Sequence, residues 1–272
     1  MIFPSKHRFL TSSINVRHSL KMAQVEAGLR FGDLGQAFPE EMNRVLTSRL
    51  AALHFAATEW SAENLRREAV SGEDIFVTGN TGIDAVLAVR DSLPALDTDA
   101  GRKIILVTAH RRESFGDGFL RICRALRRLA ERDDVEIIYP VHPNPNVQTA
   151  VREYLSDVPN IRLIEPVDYV AFVDLMRRSH ILLTDSGGVQ EEGPSLGKPV
   201  LVMREKTERP EAVEAGTARL VGTNEDTIAA EAARLLDDPE EYRRRARIHN
   251  PYGDGKASAR IRDVLATRLS RL

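Results

Sequence analysis

The chain has 272 residues, 42% of them hydrophobic and 29% charged, with a formal net charge of −2. At about 100–200 residues per domain this allows one large or two modest domains with a real core, and the balanced charge gives no global attraction to nucleic acid or to an anionic membrane. The single cysteine, Cys123, excludes a disulfide within the chain and fits a reducing, cytoplasmic compartment.

The elements follow in chain order. The first 25 residues carry Lys6, His7, Arg8, Arg17, His18 and Lys21 but no Asp or Glu. That composition is transit-peptide-like, with a mis-called start or a truncated gene as the alternatives. MAQVEAG and LHFAAT then read as strands, and EEMNRVLTSRLAA and SAENLRREAV as helices. IFVTGNTG is a strand running into a Gly-rich turn, a helix follows over Ile83 to Val89, and SLPALDTDAG is turn-rich. A domain boundary is expected near residues 79–100.

From Gly101 the pattern alternates regularly. KIILVTA, EIIYPV, IRLIEP, HILLTD, PVLVM and ARLVG are short apolar runs suited to buried strands, separated by helical segments such as FLRICRALRRLAERD, NVQTAVREYLSDV and YVAFVDLMRRS. Strand and helix at this spacing predict βαβ units and a parallel sheet covered on both faces. Cys123 falls within the first of these helices and reads as core filler. The cationic run Tyr242 to Arg247 reads as a solvated helix end, with a nucleic-acid patch as the alternative. The final helical pattern covers Ala257 to Leu272. No apolar run approaches the roughly 20 residues of a membrane span. CxxC, HExxH and EF-hand patterns are missing, so no metal is indicated.

In an open parallel sheet, ligands bind beyond the carboxyl ends of the strands. There the chain places His110 and Arg111, then His142, then Ser186, Gly187 and Gly188, then Arg204, Glu208 and Arg209. Asp185-Ser186-Gly187-Gly188 joins a strand to the helix VQEEGPSLG. Its free helix-start amides and two glycines suit a phosphate, with Arg209 or Arg112 supplying charge. A plain capped turn is the alternative. One of Glu191 and Glu192 can face the ligand and accept from ribose hydroxyls, leaving the other to a structural role. His110 can bind phosphate oxygens or move a proton. Earlier in the chain, Glu26 follows a strand, and Glu40 and Glu41 open a helix, where the dipole favours carboxylates. Two carboxylates from separate segments suit acid–base work on a sugar.

Together VEAGLRFGD, PEEMNR, LHFAAT, TGNTGIDAV, VTAHRRESFG, YPVHPNPNV, LTDSGGVQEEGPSLGKPVLVMR, TERPEAVEAGTARLVGT and HNPYGDG resemble the non-hydrolysing UDP-N-acetylglucosamine 2-epimerases. The resemblance implies an α/β, GT-B-like pair of Rossmann-like domains with parallel sheets. It implies interconversion of UDP-GlcNAc and UDP-ManNAc without a cofactor, and a homodimer if the first domain is complete. By resemblance, Glu26 and Glu40 match the catalytic carboxylates and His110 the histidine near the diphosphate. Ser186, Gly187 and Gly188 match the phosphate turn, Glu192 the ribose carboxylate, Arg209 a nucleotide-binding arginine and Phe172 an aromatic by the uracil. Arg111 and His142 match positions that bind an activating second UDP-GlcNAc in some bacterial members. Gln24 stands where the family usually has a histidine, and the family's opening GTRPE-type and GDT-type motifs have no counterpart. The expected division is residues 1–24 as a non-family segment, 25–80 as an incomplete first domain, 81–250 as the UDP-binding domain, and 251–272 as a helix returning to the first domain. A GT-B glycosyltransferase and an inactive or weakly active UDP-sugar-binding fragment are the alternative functions.

Overall fold

The computed structural model describes residues 21–34, 39–96, 101–111 and 114–269. Residues 1–20 of the acid-free segment and Arg112 lie outside the described residues. The chain divides into two compact units, Met1–Ala85 with Pro251–Leu272, and Val86–Asn250.

In the first unit β1 (Ala23–Ala27), β2 (Leu53–Ala56) and β3 (Ile75–Val77) form a parallel sheet in that order. Between them run α1 (Glu40–Leu50) and α2 (Glu59–Arg67). Ala27, Ala56, Ala62, Leu65 and Ile75 make the core. The Thr58 side chain caps α2 by accepting from the Ser61 amide. Gly28 leaves β1 with φ +83, and a Cβ there would lie 1.9 Å from the Ser61 carbonyl oxygen. Only glycine fits both the left-handed backbone and the approach of α2.

The unit is completed by α3 (Thr81–Ser92), within which the division falls, and by α11 (Ala257–Leu269). The Asp84 carboxylate accepts from the Ala257 and Ser258 amides at 3.0 and 2.7 Å, capping α11. The Asn80 amide donates to the Tyr252 carbonyl at 2.7 Å, and the Arg260 guanidinium to the Thr78 carbonyl at 3.1 Å.

In the second unit six strands are all parallel: β4 (Lys103–Thr108), β5 (Val135–Pro140), β6 (Ile161–Ile164), β7 (Ile181–Thr184), β8 (Val200–Val202) and β9 (Ala218–Leu220). Their order is β6-β5-β4-β7-β8-β9, the doubly wound order in which the chain reverses direction between β4 and β7. The crossover helices are α4 (Asp117–Ala130), α5 (Pro145–Leu155), α6 (Tyr169–Arg178), α7 (Gly187–Glu192) and α8 (Pro210–Ala215), followed by α9 (Glu225–Asp237) and α10 (Pro239–Ala246). In α4, Phe119, Ile122, Cys123, Leu126 and Leu129 recur at helical spacing on one buried face. Cys123 is packed there, and burial pushes its thiol up to about 12. Asn144, Asp168, Asn224 and Asp238 cap α5, α6, α9 and α10 with their side chains.

The helix expected from Val189 through Gly197 is shorter. After Glu192 it tightens into a 3-10 turn over Gly193–Leu196, where Pro194 removes a donor and Gly197 ends it in the left-handed conformation. The cations of α10 are paired with acids: Arg243 with Glu240, Arg244 with Glu241, and buried Arg245 with Glu241 and Glu231. Among the described residues no helix is long and apolar enough to cross a membrane.

Two glycines separate steric from conformational cost. Gly32 has φ +81 but open space at its Cβ position. Gly28→Ala is expected to cost at least about 3 kcal/mol, combining left-handed strain with a backbone clash. Gly32→Ala should cost only about 1–2 kcal/mol. Denaturant midpoints of the two variants check the order.

Candidate functional site

The point of reversal between β4 and β7 is built around Asp185. Its carboxylate follows β7 and is 0% exposed. Oδ2 accepts from the amides of His110 and Arg111 at 2.6 and 2.7 Å, which fixes the chain leaving β4. The two strand ends are also joined through their hydroxyls, Thr108 Oγ1 to Thr184 Oγ1 at 2.5 Å, and the Ser186 amide donates back to Thr184 Oγ1 at 2.9 Å. Buried Tyr139 donates its hydroxyl to the Ala109 carbonyl at 2.6 Å.

These braced strand ends open onto a cavity of about 230 Å³. His110, His142, Phe172 and Ser186 line it together with Val167 and Val189. The His110 and His142 rings stack at 5.0 Å with 10° between their planes. Burial, His142 and Arg111 hold the His110 pKa below its ordinary value, against the opposing influence of Asp185. That direction favours the neutral imidazole over the imidazolium.

The turn Ser186–Gly188 enters α7 with no side-chain cap from Ser186. The Gln190 Nε2 donates to the Ser186 carbonyl at 3.3 Å while its Oε1 accepts from the Thr207 hydroxyl at 2.8 Å. The two glycines differ in kind. A Cβ at Gly188 would meet only Ser186 Oγ, at 3.9 Å, so its outer side is open. A Cβ at Gly187 would lie 2.3 Å from the Arg209 guanidinium. Gly187 thus makes room for the Arg209 side chain, whereas Gly188 leaves open space beside the turn.

Arg209 is held by two carboxylates, Glu191 at 2.6 Å and Glu208 at 2.5 Å, and Glu208 also binds Arg204 at 2.8 Å. Burial would raise the Glu208 carboxyl, but Arg209 and Arg204 outweigh it and bring it down to about 2. Glu191 is the structural member of its pair. Glu192 instead meets the Tyr169 hydroxyl, whose pKa burial and Glu192 together push up to about 12. Among the described residues no group of three His, Cys, Asp or Glu side chains is placed to hold a metal.

A family model described as UDP-N-acetylglucosamine 2-epimerase matches residues 8–266, beginning inside the 1–24 stretch that the motifs left outside. The UDP-N-acetylglucosamine 2-epimerase of Salmonella typhimurium strain LT2 is 55% identical over 259 residues, covering 90% of this chain and 69% of that protein. A Neisseria meningitidis UDP-GlcNAc 2-epimerase solved with UDP-GlcNAc superposes with a TM-score of 0.89 at 43% identity, covering 95% of this chain and 73% of that one. The S. aureus protein MnaA, solved with UDP, gives 0.91 at 43% identity, covering 97% and 73%.

The chain belongs to the UDP-N-acetylglucosamine 2-epimerase family.

The two carboxylates that the epimerase resemblance singles out lie in the first unit. Glu26 sits in a β-bulge: Val25 pairs with Phe55 and Ala27 with Ala56, so Glu26 is the extra residue. Its φ is +58, a left-handed conformation that costs a non-glycine residue about 1–2 kcal/mol. Glu40 is the exposed first residue of α1. Glu41, 2% exposed, accepts from the Phe31 and Gly32 amides at 2.8 and 3.0 Å and so holds the loop after β1. The acid pair at this helix start therefore divides into one loop anchor, Glu41, and one exposed carboxylate, Glu40. Gln24, the departure from the epimerase histidine, is buried and accepts from Ser48 at 2.9 Å, next to the Arg30–Glu68 ion pair.

The sequence patterns placed Asp185 in a phosphate turn and Arg204 and Glu208 at a strand end, but did not reveal the bracing of β4 by Asp185 or the Arg204–Glu208 pairing. An Asp closing an apolar run was the available signal for the first. For the second it was the charge alternation in REKTERP.

Two measurements follow. The Glu208 carboxyl is depressed in the folded state, so its contribution is present above about pH 4.5 and lost as pH falls towards about 2. It amounts to on the order of 3 kcal/mol. Glu208→Gln should be less stable than wild type above about pH 4.5, and the gap should narrow as pH falls towards about 2, with about one proton's worth of slope lost. Separately, Gly187→Ala should destabilise by about 1–3 kcal/mol by displacing Arg209. Gly188→Ala should change stability by less than about 1 kcal/mol. Thermal melts of the two variants compare them.

Proposed function

We propose that this chain is a UDP-N-acetylglucosamine 2-epimerase that interconverts UDP-GlcNAc and UDP-ManNAc. The observation that carries the reading is the convergence of His110, Ser186 and Phe172 on one cavity at the sheet's point of reversal. A nucleoside diphosphate has the matching parts. The amides of Ser186–Gly188 and the His110 ring hold the diphosphate. Phe172 takes the uracil face, and Glu192 accepts from the ribose hydroxyls. Arg209, paired with Glu191 and Glu208, stiffens the phosphate turn from behind Gly187.

In the proposed reaction a carboxylate, Glu26 or Glu40, removes the proton from C2 of the sugar. The electron pair forms the C1–C2 double bond as the C1–O bond to UDP breaks, leaving a glucal and UDP. UDP oxygen then re-adds to C1 while the second residue, as its protonated carboxylic acid, delivers a proton to the opposite face of C2, and proton exchange with water resets both carboxyl groups. No electrons are gained or lost overall, so the reaction needs no redox cofactor. The left-handed backbone of Glu26 supports its assignment, since strain of this kind is retained where a side chain must be aimed.

Arg111 and His142 are proposed to take part in binding a second, activating UDP-GlcNAc. His142 stacks on His110, so a molecule held there would lie beside the first. A cooperative dependence of rate on UDP-GlcNAc that becomes hyperbolic in His142→Ala supports this. An unchanged Hill coefficient contradicts it.

The test of the main reading is incubation with UDP-GlcNAc in D2O without an acceptor. UDP-ManNAc carrying deuterium at C2 is expected. Release of UDP with free ManNAc, or no change in the sugar, contradicts the proposal. Glu26→Gln and Glu40→Gln should each lower turnover by about 10²–10⁴-fold with UDP binding retained. Glu26→Gly should abolish turnover yet raise the melting temperature, because glycine relieves the left-handed strain.

A further inference from the structure

Two stacked imidazoles line the cavity, and their other ring nitrogens meet opposite chemistry. His142 Nδ1 accepts the Asn144 amide at 3.1 Å, so the neutral His142 ring carries its proton on Nε2. His110 Nδ1 faces a carboxylate oxygen instead, Asp185 Oδ1 at 3.3 Å. That oxygen is buried and makes no hydrogen bond among the described residues, whereas Oδ2 is already engaged by two backbone amides. A buried carboxylate oxygen left without a donor is costly, and among the described residues the side chain that approaches it is the His110 ring, at 3.3 Å.

We propose that Asp185 is the positioning residue of His110: its Oδ1 takes the Nδ1 proton, so His110 presents Nε2 to the bound ligand as the site's proton acceptor. The pair then shows the ligand one acceptor, His110 Nε2, beside one donor, His142 Nε2–H. When a diphosphate arrives, its negative charge favours protonation of His110. The ring takes up one proton at Nε2 and becomes a cation held between Asp185 and the phosphate oxygens. The groups facing His110 are Asp185 after β7, His142 after β5 and Arg111 next in the chain. The two cationic or ionisable neighbours and burial oppose its protonation, and Asp185 favours it. An arriving diphosphate therefore acts on a ring that is neutral at first, which couples ligand binding to proton uptake.

The inference rests on the nucleotide reading of this cavity, and one experiment separates the two. Nitrogen chemical shifts of 15N-histidine-labelled protein report which ring nitrogen is protonated, with His110 and His142 assigned from His110→Gln and His142→Gln. At pH 7.5, without ligand, wild type should show His110 protonated on Nδ1 and His142 on Nε2. Asp185→Asn keeps one oxygen for the two amides and turns an NH2 towards the ring. It should move the His110 proton to Nε2 while leaving His142 unchanged. Addition of UDP should bring both His110 nitrogens of wild type to protonated values. Nε2–H on His110 in wild type, or the same His110 tautomer in wild type and Asp185→Asn, overturns the positioning role. Histidine signals unmoved by saturating UDP overturn the nucleotide reading and leave the tautomer result standing.

Discussion

One fully buried carboxylate holds the second unit's site together. Asp185 stands where the parallel sheet reverses its winding, and a strand pair that splays there leaves backbone amides without partners. Its Oδ2 supplies an acceptor to two of them. The Thr108–Thr184 hydroxyl contact ties the same two strand ends, and the Ser186 amide donates back to Thr184. The polar part of the cavity lining gathers at this junction. His110 is placed by its own amide, Ser186 by the turn that follows Asp185, and His142 by stacking on His110. The polar atoms are set by sheet geometry before anything binds, which is what a preorganised anion site requires.

The second constraint is charge balance under the phosphate turn. Arg204, Glu208, Arg209 and Glu191 form a buried alternating chain of ion pairs. Breaking one member leaves an uncompensated buried charge, which costs more than the intact pairs contribute. The network explains why the guanidinium of Arg209 can rest against a helix start that itself favours anions. Gly187 is the residue that makes this packing possible, and Gly188 leaves the other side of the turn open.

Much of this was legible in the sequence because the physics is periodic or positional. Each strand from Gly101 onward stood out as a short β-branched run, and the residues just past those runs, His110, His142 and Ser186, are the ones that meet in the cavity. Helix α9 was missed although Asn224 and the acids after it form a recognisable start, because Ala-rich text has little hydrophobic contrast. For adjacent acids such as Glu191/Glu192 and Glu40/Glu41, helix geometry predicts that the two members face different surroundings. Which member anchored the fold was fixed only by tertiary partners, Arg209 for the first pair and the Phe31 and Gly32 amides for the second. The bulge at Glu26 was invisible, since a two-residue alternation gives no warning of an inserted residue. Asp185 was hidden for a similar reason: an acid after an apolar run reads as a turn residue until the strand beside it is known.

The central claim is that these strand ends form a nucleoside-diphosphate site. The most direct measurement is a crystal structure of the chain soaked with UDP. The diphosphate is expected on the amides of Ser186–Gly188 within hydrogen-bonding distance of His110, with the uracil against Phe172. UDP bound elsewhere, or a diphosphate seated away from the Ser186–Gly188 turn, contradicts it.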